Sequence, residues 1–130
     1  MNEFSDALGI SASGLRAQAT RLRYTSENIA NTDTPGYRRK ITSFEAHVEK
    51  GRPDGTVSSG PMRLDPSALA RIHDPAHPMA DEAGYYDGSN VNLLIEIADA
   101  REAQRSYEAN LKIFDQTRQM SSALMDLLRR

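Results

Sequence analysis

VNLLIEIADAREAQRSYEANLKIFDQTRQMSSALMDLLRR, residues 91–130, runs to the last residue without a glycine or a proline. Leu93, Ala100, Tyr107, Phe114 and Leu128 fall in one seven-residue register, interrupted by Ser121. Ile97, Leu111 and Met125 fill the accompanying positions four residues on. That spacing predicts a helix with a narrow apolar seam, not a broad core face. Asn90 and Asn92 are both suited to cap its N-terminus, Glu96 to complement the dipole in its first turns, and Arg129 and Arg130 to complement it at the other end. The helix should reach about residue 128, roughly 55 Å at 1.5 Å per residue.

A second stripe of the same period lies at the opposite end. Leu8, Leu15, Leu22 and Ile29 are seven apart, and Ala12 and Ala19 share their face. This predicts a helix over residues 4–30, roughly 40 Å long. Gly9 and Gly14 lie inside it and weaken it, but they also allow another helix to approach closely. Asn31 can take the left-handed conformation that ends helices, and Pro35 cannot continue one. Thr34-Pro35-Gly36-Tyr37 has the residues of a type II turn. Residues 37–44 then read as extended chain with a basic start, Arg38, Arg39 and Lys40.

Between the stripes the character changes. Pro53, Pro61, Pro66, Pro75 and Pro78 lie between residues 51 and 88, and apolar residues there are short and isolated. Loops with one or two short strands are expected. The chain therefore divides into an N-terminal helix and turn (1–36), a loop-rich middle (37–88) and a C-terminal helix (89–130). The fold class is mainly α, with long terminal helices packed as a coiled coil and short β-strands in the middle. With 3 Phe, 5 Tyr and no Trp in 130 residues, large core anchors are scarce. One two-helix hairpin would leave half of each seam residue in water, so burial by neighbouring copies is expected to complete the fold.

Composition excludes several functions. The absence of Cys removes disulfides, thiolate nucleophiles and Cys-based metal sites. A formal net charge of -2, from 16 basic and 18 acidic residues, does not favour nucleic acid. No apolar run is long enough to span a bilayer, and the first residues lack the apolar core of a cleaved secretory signal. His73 and His77 are four apart beside Asp74, Asp81 and Glu82, a spacing that on a helix could hold a metal. Pro75 and Pro78 break any such helix. There is no Gly-x-Ser-x-Gly elbow and no glycine-rich phosphate loop. No enzyme activity, cofactor or metal is expected. A metal-dependent hydrolase using His73 and His77 is the alternative that metal content would test. A self-contained cytoplasmic coiled-coil adaptor is the alternative that stable helicity in isolation would support.

The helix exit carries more than a turn. Asn28-Ile29-Ala30-Asn31-Thr32-Asp33-Thr34-Pro35-Gly36-Tyr37-Arg38-Arg39 closely resembles the N-terminal signature of bacterial flagellar rod and hook proteins. Glu96 with Ala103-Gln104-Arg105-Ser106-Tyr107-Glu108-Ala109-Asn110 is similar to the matching C-terminal motif. His77-Pro78-Met79-Ala80-Asp81-Glu82-Ala83-Gly84-Tyr85, followed by Asn90-Val91-Asn92, resembles the proximal rod branch, as does the short length. Two residues depart from that pattern: Ser89 replaces a usual Pro, which should loosen the turn, and Ile97 replaces a common Met.

The resemblance implies a structural subunit that assembles helically with copies of itself and other rod proteins. It further implies contact with inner-membrane ring and export-gate adaptor proteins, torque transmission, and a place along an export channel. Passage through the flagellar type III apparatus without a cleaved signal, to a rod spanning the periplasm, is also implied. In that role Leu8, Leu15, Leu22, Ile29, Leu93, Ile97, Tyr107, Leu111 and Phe114 would form the seam within and between subunits. Asn28, Asn31, Thr34, Pro35, Gly36 and Tyr37 would set the exit angle of the chain and contact a neighbour. Arg38, Arg39, Lys40, Glu96, Arg105 and Asn110 would make polar contacts across subunits.

Overall fold

The computed structural model describes residues 2–130. Two long helices dominate it: α1 (Asn2–Ala30) and α2 (Leu93–Arg129). At 29 and 37 residues they span about 43 and 55 Å. Asn92 caps α2, its side chain accepting from the Ile95 amide. The type II turn forms as its residues require: Tyr37 N donates to Thr34 O at 3.2 Å, and Gly36 takes φ +74°. Asn31 departs from expectation. Among the described residues Lys50 is the only non-glycine with positive φ, so Asn31 does not end the helix left-handed. Instead its backbone N–H and its Nδ2 both donate to the Glu27 carbonyl, at 3.1 and 2.8 Å.

The helices run antiparallel. Asn28 meets Glu96, Arg21 meets Asp99 and Glu102, and Gly14 meets Asn110. These are not the expected seam positions. Gly14, Arg21 and Asn28 each precede Leu15, Leu22 and Ile29 by one residue; Glu96 and Asn110 likewise precede Ile97 and Leu111. One residue is about 100° of rotation on a helix. The line of closest approach is therefore small and polar, and among the described residues the buried hydrophobics are Ala17 and Ala103 alone. Leu8, Leu15, Leu22, Ile29, Tyr107 and Phe114 are left half-buried, while Leu93, Ile97 and Leu111 are exposed. The C-terminal end of α2 is open to solvent. Leu127 and Leu128 there are 65% and 72% exposed.

The middle holds more strand than expected, all of it in two-stranded antiparallel ribbons. β1 (Lys40–Ile41) pairs with β4 (Arg63–Leu64), β2 (Phe44–Glu49) with β3 (Arg52–Ser59), and β5 (Arg71–His73) with β6 (Tyr85–Asp87). The β2–β3 hairpin turns through Lys50 and Gly51 at φ 50° and 78°, the two positive values of a type I′ turn. Its β3 strand leans on α1: Val57 N donates to Ser13 Oγ at 3.1 Å, and Gly55 packs on Ile10.

That placement divides the helix pair into two sides. Leu15 lies about 200° around α1 from Ser13, and Leu111 about 180° around α2 from Glu102. Arg21, Tyr24 and Asp99 share a recess with Lys40, Ile41 and Thr42 on the hairpin side. The two apolar stripes therefore line the same flank, the one facing away from the hairpin.

Candidate assembly interface

A polar clasp holds the helix pair to the middle segment. At its centre is Asn28, 1% exposed, with its side-chain hydrogen-bonding capacity in use. Its Oδ1 accepts from Tyr37 OH and Lys40 N, both at 2.8 Å. Its Nδ2 donates to Lys40 O at 2.9 Å and to Glu96 Oε2 at 3.3 Å. The first residue of β1 is thus pinned to the end of α1 through both of its backbone polar groups.

Glu96, also 1% exposed, is the second centre. A buried carboxylate demands a partner, and Arg39 Nε supplies it at 2.6 Å. Arg39 also reaches Asp65 Oδ2 at 3.1 Å. Burial opposes the guanidinium charge, but the hydrogen bonds Arg39 donates to Glu96 and Asp65 outweigh it and raise the Arg39 pKa. Asp65 is held below the usual carboxylate value, chiefly by the Ser67 backbone amide and hydroxyl, then by Arg39. Tyr37 is shifted upward by burial, with Glu27 and Glu96 adding to the effect and Lys40 opposing it.

The remaining contacts close the ring. Asn90 Oδ1 accepts from Arg39 N at 2.7 Å, and its Nδ2 donates to the carbonyls of Asp65 and Ser67. Arg38 donates to the same two carbonyls. Lys40 Nζ meets Glu27 at 2.6 Å. Ser89 does not loosen its turn: it is buried, and its hydroxyl donates to the Thr32 carbonyl. Gly36 N donates to the carbonyls of Asp87 and Gly88, joining the signature turn to the lead-in of α2.

Within the chain most of these polar residues already have partners. The expectation placed acids of adjacent subunits opposite Arg38, Arg39 and Lys40. The chain itself supplies Glu96, Asp65 and Glu27, and carbonyls for Arg38. Glu96 lies in the first turn of α2, as expected, and its carboxylate is also turned inward onto Arg39. Asn110 lies against Gly14, its Nδ2 3.1 Å from where a Cβ would stand. Arg105 remains exposed, lining a shallow hollow with Leu94, Ile97, Ala98, Arg101 and Glu102. Sequence reasoning did not single out Asp65 or Ser67, and it read Asn90 as a helix cap and as part of the family motif, not as their partner. The Asn90-Val91-Asn92 motif was the available signal, since two asparagines flanking one apolar residue exceed what capping needs.

His73 and His77 stand apart from the clasp. His73 meets Tyr85 edge-on at 4.7 Å, and His77 stacks on Tyr86 at 3.8 Å. Among the described residues no group of three or more His, Asp or Glu is arranged to hold a metal, and no helix is long and apolar enough to cross a membrane.

The apolar flank is what remains available outside the clasp. Its residues carry exposures that an isolated core would not leave, such as 43% at Leu93 and 41% at Leu111.

Comparison with known proteins points the same way. Residues 8–38 match the family described as flagella basal body rod protein, and residues 82–127 match the flagellar basal body rod FlgEFG protein C-terminal family. The flagellar basal-body rod protein FlgC of Agrobacterium fabrum is 43% identical over 99% of this chain and 98% of its own length. FlgC of Aquifex aeolicus is 34% identical over 92% of this chain and 93% of its own. FlgC of Yersinia enterocolitica is 31% identical over 85% and 87% respectively.

Proposed function

The chain belongs to the FlgC family of flagellar basal-body rod proteins, and from that premise we propose how it builds a shaft. It is a non-enzymatic structural subunit of the proximal rod, located in the basal body, and it assembles with other flagellar rod proteins. In our reading the two terminal helices form one axial unit, and the middle, residues 37–88, is carried on its other side by the clasp. The shared apolar flank, with Leu8, Leu15, Leu22, Ile29, Leu93, Ile97, Tyr107, Leu111 and Phe114, packs against helices of neighbouring subunits, including further copies of this chain.

The observation that supports this is the one-residue rotation between the line of helix contact and the apolar stripes. The chain joins its own helices through Gly14, Asn28, Glu96, Ala103 and Asn110. It thereby reserves its large aliphatic residues for other surfaces. Each such side chain, fully covered, contributes about 1.5–3 kcal/mol, so a handful per neighbour stabilises an assembly strongly. Faces of this kind, meeting different faces of the next subunit, generate open helical stacks.

A shaft of this construction would transmit torque through helix packing and line an export channel. Contacts with the inner-membrane ring and the export-gate adaptors would seat its base. Export through the type III apparatus, without a cleaved signal, would deliver the subunit to a rod that spans the periplasm. The test is Ile97→Asp and Leu111→Asp, made separately in a motile host lacking the wild-type chain. Both variants should be produced and soluble, yet absent from purified basal bodies, and the cells non-motile. Normal motility with either variant incorporated would remove the flank from the account.

A further inference from the structure

We propose that the outer edge of β2 is a docking edge for an extended polypeptide segment of another protein. That segment would be apolar on one face and carry two Lys or Arg residues four apart on the other. The inference stands independently of the rod reading.

Four observations fix which backbone groups of β2 face outward. Gly60 N donates to Ser43 O at 2.7 Å, so Ser43 faces β3. Ala46 lies opposite Val57, whose N–H is turned away from β2 toward Ser13. Val48 lies opposite Pro53, which has no N–H to give the ladder. Glu49 and Arg52 bracket the two-residue turn as a bonded pair. The alternation leaves Phe44, Ala46 and Val48 presenting N–H and C=O outward, and no hydrogen bond reaches these groups among the described residues. β2 pairs with β3 alone, and all six of its residues are exposed.

Exposed edges are commonly protected by a bulge, a proline or a lysine. Here the irregularity falls on the inner strand. Asp54, Gly55 and Thr56 of β3 bulge opposite His47, and Pro53 is also on β3. β2 itself runs regularly, with neither proline nor lysine. Its side chains separate by face: Phe44, Ala46 and Val48 on one, Glu45, His47 and Glu49 on the other. His47 is engaged with Asp54 at 2.7 Å, whereas Glu45 and Glu49 enter no ion pair among the described residues. A strand added at this edge would place alternate residues beside them, so two cations four apart complete the face. Outside its helices this chain has no Lys or Arg pair at that spacing, which argues against a second copy.

The test uses the isotope-labelled full chain and the acetylated peptide Val-Lys-Val-Thr-Val-Lys-Val. Amide exchange of Phe44, Ala46 and Val48 should slow about tenfold when nine in ten molecules are occupied, while Glu45 is unchanged. A peptide N-methylated on its β2-facing nitrogens should not bind, and one with Glu in place of both Lys should bind about tenfold more weakly. Ala46→Pro should weaken the parent peptide about tenfold with the Glu45–Ser58 pairing intact, whereas Ala46→Thr should bind as the parent chain does. Equal binding of the methylated peptide, protection at Glu45 in place of its neighbours, or protection that rises with protein concentration in the absence of peptide would overturn the proposal. Loss of the rod reading would show separately, as absence of the chain from basal bodies.

Discussion

Replacing Glu96 should loosen the junction of the helices with the middle segment, because Asn28 of α1 and Arg39 both donate to its carboxylate. In Glu96→Gln the side chain keeps an acceptor for Arg39 Nε but loses the charge. Hydrogen bonds involving a charged group contribute about 1.5–3 kcal/mol and neutral ones about 0.5–1.5, so the substitution should cost about 1–2 kcal/mol. Glu96→Ala removes both acceptors. Breaking a buried pair typically costs about 3–5 kcal/mol. The Arg39 side chain is about a quarter exposed and retains Asp65, which reduces the expected cost to about 2–3 kcal/mol. Urea unfolding of the purified chain, followed by far-ultraviolet circular dichroism, would give both values from the shift in midpoint at constant slope. The Gln variant should fall between the wild type and the Ala variant. If Arg39→Met is introduced first, the cost of Glu96→Gln should shrink, because the pair is energetically coupled. Midpoints for both Glu96 variants within error of the wild type would refute the clasp as the feature that joins the helices to the middle segment.

Glycine substitutions should separate open helix surface from the helix contact. Gly9→Ala has no neighbour within 4 Å and should stabilise the chain by about 0.5–1 kcal/mol, whereas Gly14→Leu must displace Asn110 and should lower the thermal midpoint. Gly36→Ala, at φ +74°, should destabilise by about 1 kcal/mol in the same melts. Stability should also fall in acid. Asp81 is held low by the Tyr85 amide and by Arg71, and Asp65 is held low as described, both from an ordinary value of 3.8. Their contribution is complete above about pH 4 and is lost as pH falls through the depressed folded values. Asp54, lowered to about 2 by Thr56 and then by His47, extends the loss toward pH 2, and Asp54→Asn should flatten that last part of a urea-midpoint titration.

Much of this architecture was legible because it rests on local rules. Forty residues without a helix breaker, an Asx cap and a seven-residue period specify α2 almost to its ends. The Thr34–Tyr37 turn follows from Pro and Gly at its two centres. Which face of each helix meets the other was not legible. Hydrophobic periodicity weights Leu15, Ile97 and Leu111, whereas close approach selected Gly14, Ala103 and Asn110, which a search for apolar residues passes over. The β2–β3 hairpin was missed because Pro53 and Gly55 read as loop and its Lys50-Gly51 turn lacks the usual Asn or Asp. The alternation of Phe44, Ala46 and Val48 was its only signal, and with both faces in water it was a weak one. The clasp was hidden for another reason. Asp65 lies 31 residues before Glu96 in the chain, and only the fold brings Arg39 between them.

The central claim is that the apolar flank is open in the free subunit and covered in the rod. Because the chain has no cysteine, a single Leu111→Cys provides a unique thiol for maleimide labelling. The free subunit should label as fast as a Ser58→Cys control, and the same thiol in purified basal bodies should be protected by a factor of about ten or more at equal maleimide concentration. Equal labelling of Leu111→Cys in the free and the assembled states would contradict the account.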